Sequence, residues 1–191
     1  MSYSADPRAV RSREAMLAAA RRLLAEEGLD AVTHQRVAQE AGVGRATVYR
    51  HWPRTDQLLL DAMGGADLPL FRAPETPVRR WLRKELRQMA DELAIPAVAA
   101  VSLTLAQSAL SDARIAHPHD ESVKTITERI HAAIRSAVAA GELEADIEAA
   151  DLTAVLVGPI VYRTTMQRAP ASDDFIGRLV DSVGTWHDQP G

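Results

Sequence analysis

Apolar residues recur at spacings of three and four along nearly the whole chain, and no convincing run alternates with a period of two. That rhythm marks amphipathic helices rather than strands. Met16, Ala20, Leu23 and Leu24 share one face of a first helix that Ser12 can cap. Gly28 fits the left-handed position that closes such a helix, with Leu29 as the apolar residue after it. Thr33 caps a second, short helix through Ala41, buried on its Val37, Ala38 and Ala41 side. Gly42-Val43-Gly44 is the next break. A third helix runs from about Arg45 to Trp52, where Pro53 discourages continuation. Thr55 can cap a fourth, carrying Leu58, Leu59, Ala62 and Met63.

Gly64-Gly65 and the proline-rich DLPLFRAPETP form the one clear linker-like stretch. Longer helices follow. Val78, Leu82, Leu86, Met89 and Leu93 line one side of the first, and Pro96 opens an Ala-rich, very apolar second. ARIAHPHDES looks like a loop, after which Val123, Ile126, Ile130, Ile134 and Val138 step along one face to a stop at Gly141. Asp146 is expected to cap a helix through Met166, kinked by Pro159 near Val155 to Gly158. Ser172 caps a last helix that includes Trp186. The expected product is an all-α chain of about nine helices. Residues 1–55 form a small three-helix head, a fourth helix (about 56–64) links it onward, and residues 65–191 form a larger helical body.

Composition adds limits. Hydrophobic residues make up 47% of the 191, but aromatics only 4%, so Ala, Leu, Val and Ile must build the core. The lack of cysteine excludes disulfides and thiolate metal or redox sites. No apolar run approaches the ~18 residues of a membrane span, and the N-terminus lacks an apolar signal segment. A cytoplasmic protein without membrane partners is therefore expected. Charge is uneven: residues 1–55 carry nine Arg against six acids, a net of +3, while the remainder sums to −7. A basic head on an acidic body suggests that only the head meets a polyanion.

The stretch GVGRATVYRHW, Gly42 to Trp52, gives that idea a geometry. At ~100° per residue, Val48 and Trp52 fall together as the buried side, opposite Ala46, Thr47 and Arg50, with Tyr49 and His51 on the flanks. Short side chains on the crown allow close approach to a major groove. Arg50 can reach guanine edges, and the flanks can reach phosphates. The preceding helix begins Thr33-His34-Gln35, offering free amides as a phosphate seat. Two short helices joined by a glycine turn, the second exposed and basic, make a helix-turn-helix. Trp52 reads as core, and Thr33 and Thr55 as caps whether or not they also touch DNA; Tyr49 could also be core, and Arg45 and Arg50 a solvated face.

These residues resemble the DNA-binding head of the TetR family of bacterial transcriptional regulators. The pattern appears as Ala31-Val32-Thr33, Arg36-Val37-Ala38, Ala41-Gly42-Val43, Thr47-Val48-Tyr49, His51-Trp52 and Leu58-Leu59, across roughly residues 12–63. Val157 to Val183 resembles the C-terminal regulatory half of one branch of that family. The resemblance implies an Ω-like homodimer gripping an operator, with the last two helices of each copy paired in a four-helix bundle. Carried over, Gln35, Arg45, Ala46, Thr47 and Arg50 contact bases or phosphates, and Thr33, His34, Tyr49, His51 and Thr55 contact the backbone. Many members have Ser where this chain has Gly44, and Lys where it has Thr55, which removes one hydroxyl and puts one phosphate contact in doubt.

The resemblance also implies an effector cavity in the body. Candidate lining residues are Trp81, Leu82, Met89, Leu103, Gln107, Tyr162 and Met166, unless they are plain core, and the expected ligand is small and mostly apolar. Candidates for dimerisation are Leu152, Val155, Leu156, Ile160, Phe175, Leu179, Val183 and Trp186, some of which can instead close the monomer's own core. His117-Pro118-His119-Asp120-Glu121 is the only cluster of metal-ligand types, and a solvated loop accounts for it. No nucleophile elbow, phosphate loop or metalloprotease helix occurs, and the carboxylates look like surface and cap residues. No enzyme, cofactor or metal is expected. A helical protein-interaction module and an effector-independent regulator are the alternatives.

Overall fold

The computed structural model describes residues 7–64 and 71–187. Nine α-helices account for most of them. The chain divides into two compact units, the first comprising residues 1–67 with 100–119 and the second 68–99 with 120–191.

The first unit holds α1 (Pro7–Glu27), α2 (His34–Ala41), α3 (Arg45–His51) and α4 (Thr55–Gly64). It also takes in residues 100–119, from α6 (Pro96–Ala109) and the start of α7 (Ala113–Ala139). α1 packs on α2 and α4, and α2 on α3. Met16, Leu23, Val37, Val48, Leu58 and Leu59 are all buried. α1 begins at Pro7, so Ser12 lies inside the helix and does not cap it. Proline suits a first helical position, where its missing amide costs nothing. Both Gly28 and Gly42 stop their helices at positive φ, but only Gly42 (φ 66°, ψ 31°) is left-handed helical as expected; Gly28 (φ 87°, ψ −176°) takes an extended conformation essentially open only to glycine.

ARIAHPHDES is not a loop: Ala113 to Ser122 are the first turns of α7. Asp112 starts it, its carboxylate accepting the Arg114 amide at 2.9 Å, and Ile115 anchors it from below. Pro118 forfeits one backbone hydrogen bond near the helix start, which the rest of this long helix tolerates.

In the second unit, α5 (Val78–Leu93), α7, α8 (Leu152–Val161) and α9 (Asp173–Asp181) enclose one core. α5 contributes Val78, Trp81, Leu82, Leu86 and Met89, and the other helices Ile130, Ile134, Leu156, Ile160, Ile176 and Val180. The carboxylates are not all on the surface. Glu142 is buried and accepts the Val78 amide at 3.1 Å, satisfying a free donor at the start of α5. Asp56 and Glu85 are buried too.

Two three-residue strands supplement the helices. β1 (Leu143–Ala145) pairs antiparallel with β2 (Gly184–Trp186), in the register Leu143 to Trp186. Trp186 therefore lies on a strand, and the last helix ends at Asp181. Gly184 is obligatory there: its φ is +149°, and a Cβ would lie 2.1 Å from the Glu144 carbonyl oxygen. Asp146 does not cap a helix either; its amide donates to Val183 O, and α8 begins after Asp151. Ser172 does cap α9, accepting from Phe175 N at 3.2 Å. α8 runs through Pro159 unbroken, and the irregularity comes later, as a π-helical turn over Tyr162–Met166. There the Thr164 and Thr165 hydroxyls bond Ile160 O and Val161 O, competing with backbone amides.

Candidate nucleic-acid interface

The turn between α2 and α3 is set by local chemistry. Thr33 caps α2 by accepting from Arg36 N at 3.2 Å. Gly42 turns the chain at φ +66°, and Gly44 opens α3 in an extended conformation with no side-chain cap. Val48 and Trp52 face inward as the wheel predicts. Trp52 is held from three directions. Its Nε1 donates to Asp61 Oδ2 at 2.8 Å, the Arg13 guanidinium stacks 5.4 Å from its ring centroid, and Arg13 pairs with the same Asp61 oxygen at 2.5 Å. Thus α1 and α4 together fix the C-terminal end of α3.

The opposite face is open. Arg45, Ala46, Tyr49, Arg50 and His51 are exposed, as are Thr33 and Gln35, while Thr47, His34 and Thr55 are half-buried. Tyr49 is 57% exposed, which excludes it from the core. His34 is partly committed: its Nε2 donates to the Trp52 carbonyl at 2.6 Å, and its ring lies 5.6 Å from that of Tyr49. That leaves only its Nδ1, which can donate to a phosphate only when the ring is doubly protonated.

The arginines of the head sort sharply. Arg13 pairs with Asp61, Arg22 with Glu40, Arg36 with Glu27 and Arg54 with Asp56, and Arg21 donates to Ala62 O. Arg45 and Arg50, both on α3, have no such partner among the described residues. The Arg54 guanidinium, 2.5 Å from Asp56, holds that buried carboxyl below the usual carboxylate range. Arg54 thus braces the start of α4. Sequence spacing gave no sign of the Asp61 contact with Trp52, because it depends on how α4 meets α3, whereas the Arg54–Asp56 pair is local, two residues apart.

The other candidates separate. Trp81, Leu82 and Met89 are buried in the core of the second unit, whereas Tyr162 and Met166 are exposed. Leu103 and Gln107 belong to the first unit and are exposed. Of the dimerisation candidates, Leu152, Leu156, Ile160 and Val183 are buried within the chain's own core, while Val155, Phe175, Leu179 and Trp186 are half-buried. Among the described residues no group of three or more His, Asp and Glu is placed to hold a metal ion. No single described helix is long and apolar enough to cross a membrane.

Comparison with known proteins agrees with this geometry. Residues 16–62 match the family described as bacterial regulatory proteins, tetR family, and residues 75–183 match the one described as tetracyclin repressor-like, C-terminal domain. An HTH-type transcriptional regulator of Mycobacterium tuberculosis is 27% identical over 88% of this chain and 83% of its own length. A DNA-binding transcriptional repressor TetR of Mycobacteroides abscessus is 26% identical over 88% of this chain and 90% of its own. Among solved structures, the TetR family regulator SCO0332 superposes with a TM-score of 0.65 at 27% identity, covering 89% of this chain and 94% of that one. A TetR regulator from Haloarcula marismortui, at 19% identity, shares the fold with a TM-score of 0.68, covering 92% and 100%.

Proposed function

Because the chain belongs to the TetR family of helix-turn-helix transcriptional regulators, we propose that it is a cytoplasmic repressor, binding a palindromic operator as a homodimer and released by a small molecule held in its C-terminal half. The observation that carries the DNA-binding part is the contrast among the arginines. The other arginines of the head whose side chains are described are engaged within the protein, and the two on α3 are exposed without an acidic partner among the described residues. A fold that neutralises its structural guanidinium groups and leaves these two open supports reserving them for phosphates and base edges.

Repression is supported by the name of the M. abscessus relative. Dimerisation is supported by the outward side of α8 and its π-helical turn, where Ala154, Gly158, Tyr162 and Met166 are exposed. One head gives few contacts, and two heads matched to half-sites about 34–36 Å apart combine them. Release needs an effector that prefers the DNA-incompetent arrangement. The test is a footprint and gel-shift series on DNA flanking the gene. A protected palindrome, lost with Arg50→Ala while the fold survives, supports the reading. Unchanged DNA binding by Arg50→Ala sinks it and favours a protein-interaction module.

A further inference from the structure

The buried face of α5 carries two polar side-chain atoms, on Trp81 and Glu85, that have no hydrogen-bond partner among the described residues. Trp81 is 2% exposed and Glu85 1% exposed, one helical turn apart on the same side. Glu85 Oε2 accepts the Arg72 amide at 3.0 Å, but Oε1 is buried without a partner. The Trp81 indole Nε1 is buried without one as well. Buried polar groups are nearly always hydrogen-bonded, because leaving one unmade forfeits its hydration with no return. Here a donor and an acceptor one helical turn apart both go unmade.

Their surroundings are apolar and aromatic. Leu82 and Leu86 flank them on α5, and Phe71 sits edge-on to Trp81 with ring centroids 6.0 Å apart. The Phe71-Arg72 segment is fixed from both sides, by Glu85 to the Arg72 amide and by Arg129 donating to Phe71 O. The bond to Arg72 uses one carboxylate oxygen and a neutral amide. It explains neither the second oxygen nor the charge, since no cation pairs with Glu85 among the described residues. A buried carboxylate without a counter-charge is among the costliest groups a core can hold.

We infer that Trp81 and Glu85 form the polar end of the effector site, and that the effector is a small organic ammonium compound with an apolar body. This rests on the effector-released reading above. A protonated amine donates to Oε1 and supplies the missing charge together. The adjacent indole offers its N–H to an acceptor on the ligand and its face to the cation. An alcohol satisfies the hydrogen bond but not the charge, and a carboxylate is repelled.

The test uses the full-length protein with hexylamine and phenethylamine as probes, against hexan-1-ol and hexanoate as shape-matched controls, by calorimetry and thermal shift. The amines should bind at least about tenfold tighter than the alcohol, the size of one charge-assisted hydrogen bond. Glu85→Gln should erase that preference, and Trp81→Phe should weaken amine binding less. Without ligand, Glu85→Gln should melt no lower than the parent, because it removes an uncompensated charge and keeps an acceptor for Arg72. Equal binding of amine and alcohol would mean that a buried water serves these atoms, and overturns the proposal, as does amine binding indifferent to Glu85→Gln. A lowered melting temperature for ligand-free Glu85→Gln would show that the Glu85 charge is already compensated inside the protein, and also overturns it. Adding the amines to the operator gel shift separates the two readings. Amine binding that depends on Glu85 without operator release keeps the site and sinks the effector role, and release by other compounds that ignores Glu85→Gln does the reverse.

Discussion

The head and the core of the second unit set their candidate groups apart in opposite ways. On α3, Arg45 and Arg50 stand out because they are exposed while the other arginines around them are paired. On α5, Glu85 and Trp81 stand out because they are buried and unpaired. Water satisfies an exposed guanidinium at no cost, so its freedom is informative only by contrast with its neighbours. Bulk water does not reach a buried carboxylate oxygen, so its lack of a protein partner calls for an enclosed water or a ligand. Docking on duplex DNA needs a rigid surface with open charges. Enclosing a small molecule needs an interior left incomplete.

The largest expected effect tests whether the head is one mechanical piece. Trp52 joins α3 to Asp61 on α4 and Arg13 on α1. Trp52→Ala should cost about 3–5 kcal/mol, as loss of a buried indole does. Amide exchange should then accelerate across α1–α4 and stay slow in the central turns of α5 and α8. Equal loss of protection in both units would break the distinction. Next comes Arg50→Ala, expected to cost about 1–3 kcal/mol of operator discrimination while leaving the melting curve unchanged. Arg36→Ala should leave operator discrimination intact and lower the melting temperature only slightly, because its pair with Glu27 is solvent-exposed. Competition gel shifts with point-mutated operators read the difference.

How much the sequence disclosed follows the same divide. The helix-turn-helix was legible because a cap at Thr33, a left-handed Gly42 and the i, i+4 pair Val48 and Trp52 all lie within twenty residues, each acting locally. The brace beneath α3 was not, because Asp61 meets Trp52 only after α4 folds back. The β1–β2 pair was hidden because strands of three residues are too short to show alternation. The start of α7 was misread because His117 to Glu121 look like a solvated loop, whereas the cap lies upstream at Asp112 and the apolar anchor at Ile115. Glu85 was the costliest omission. It lies four residues after Trp81 and three after Leu82, squarely on the inward stripe. Its charge argued for the surface more loudly than its position argued for the core.

Smaller effects sharpen the comparison inside the head. Thr33→Ala removes the side chain that accepts from Arg36 N and should cost about 1 kcal/mol. Denaturant unfolding measures that loss, and operator affinity should fall with it because α2 positions α3. Asp56 supplies a pH signature. Its folded carboxyl titrates below its ordinary value because Arg54 pairs with it. The stabilisation is thus complete above the unfolded-state value and fades as pH falls through the lower, folded one. Asp56→Asn should remove that part of the acid sensitivity and leave the neutral-pH fold in place. Arg54 is half exposed, so solvent screening keeps the effect modest.

The smallest change is also the most selective. Gly44 caps α3 with its backbone alone, at φ −72°, a conformation open to any residue. A Cβ there would meet only Thr47 Oγ1, at 3.9 Å. Gly44→Ser therefore introduces no strain and places a hydroxyl where it can accept from the first free amides of α3. The gain should be a few tenths of a kcal/mol in stability. If this end of α3 also faces a phosphate, the hydroxyl adds a neutral contact to DNA. Affinity should then rise at every salt concentration by one constant factor, because no counterion is released. A steeper salt dependence would mean that the substitution had moved Arg45 instead. No gain in affinity beside the gain in stability would place the phosphate backbone away from Gly44 and turn the docking of α3 toward its Tyr49 flank.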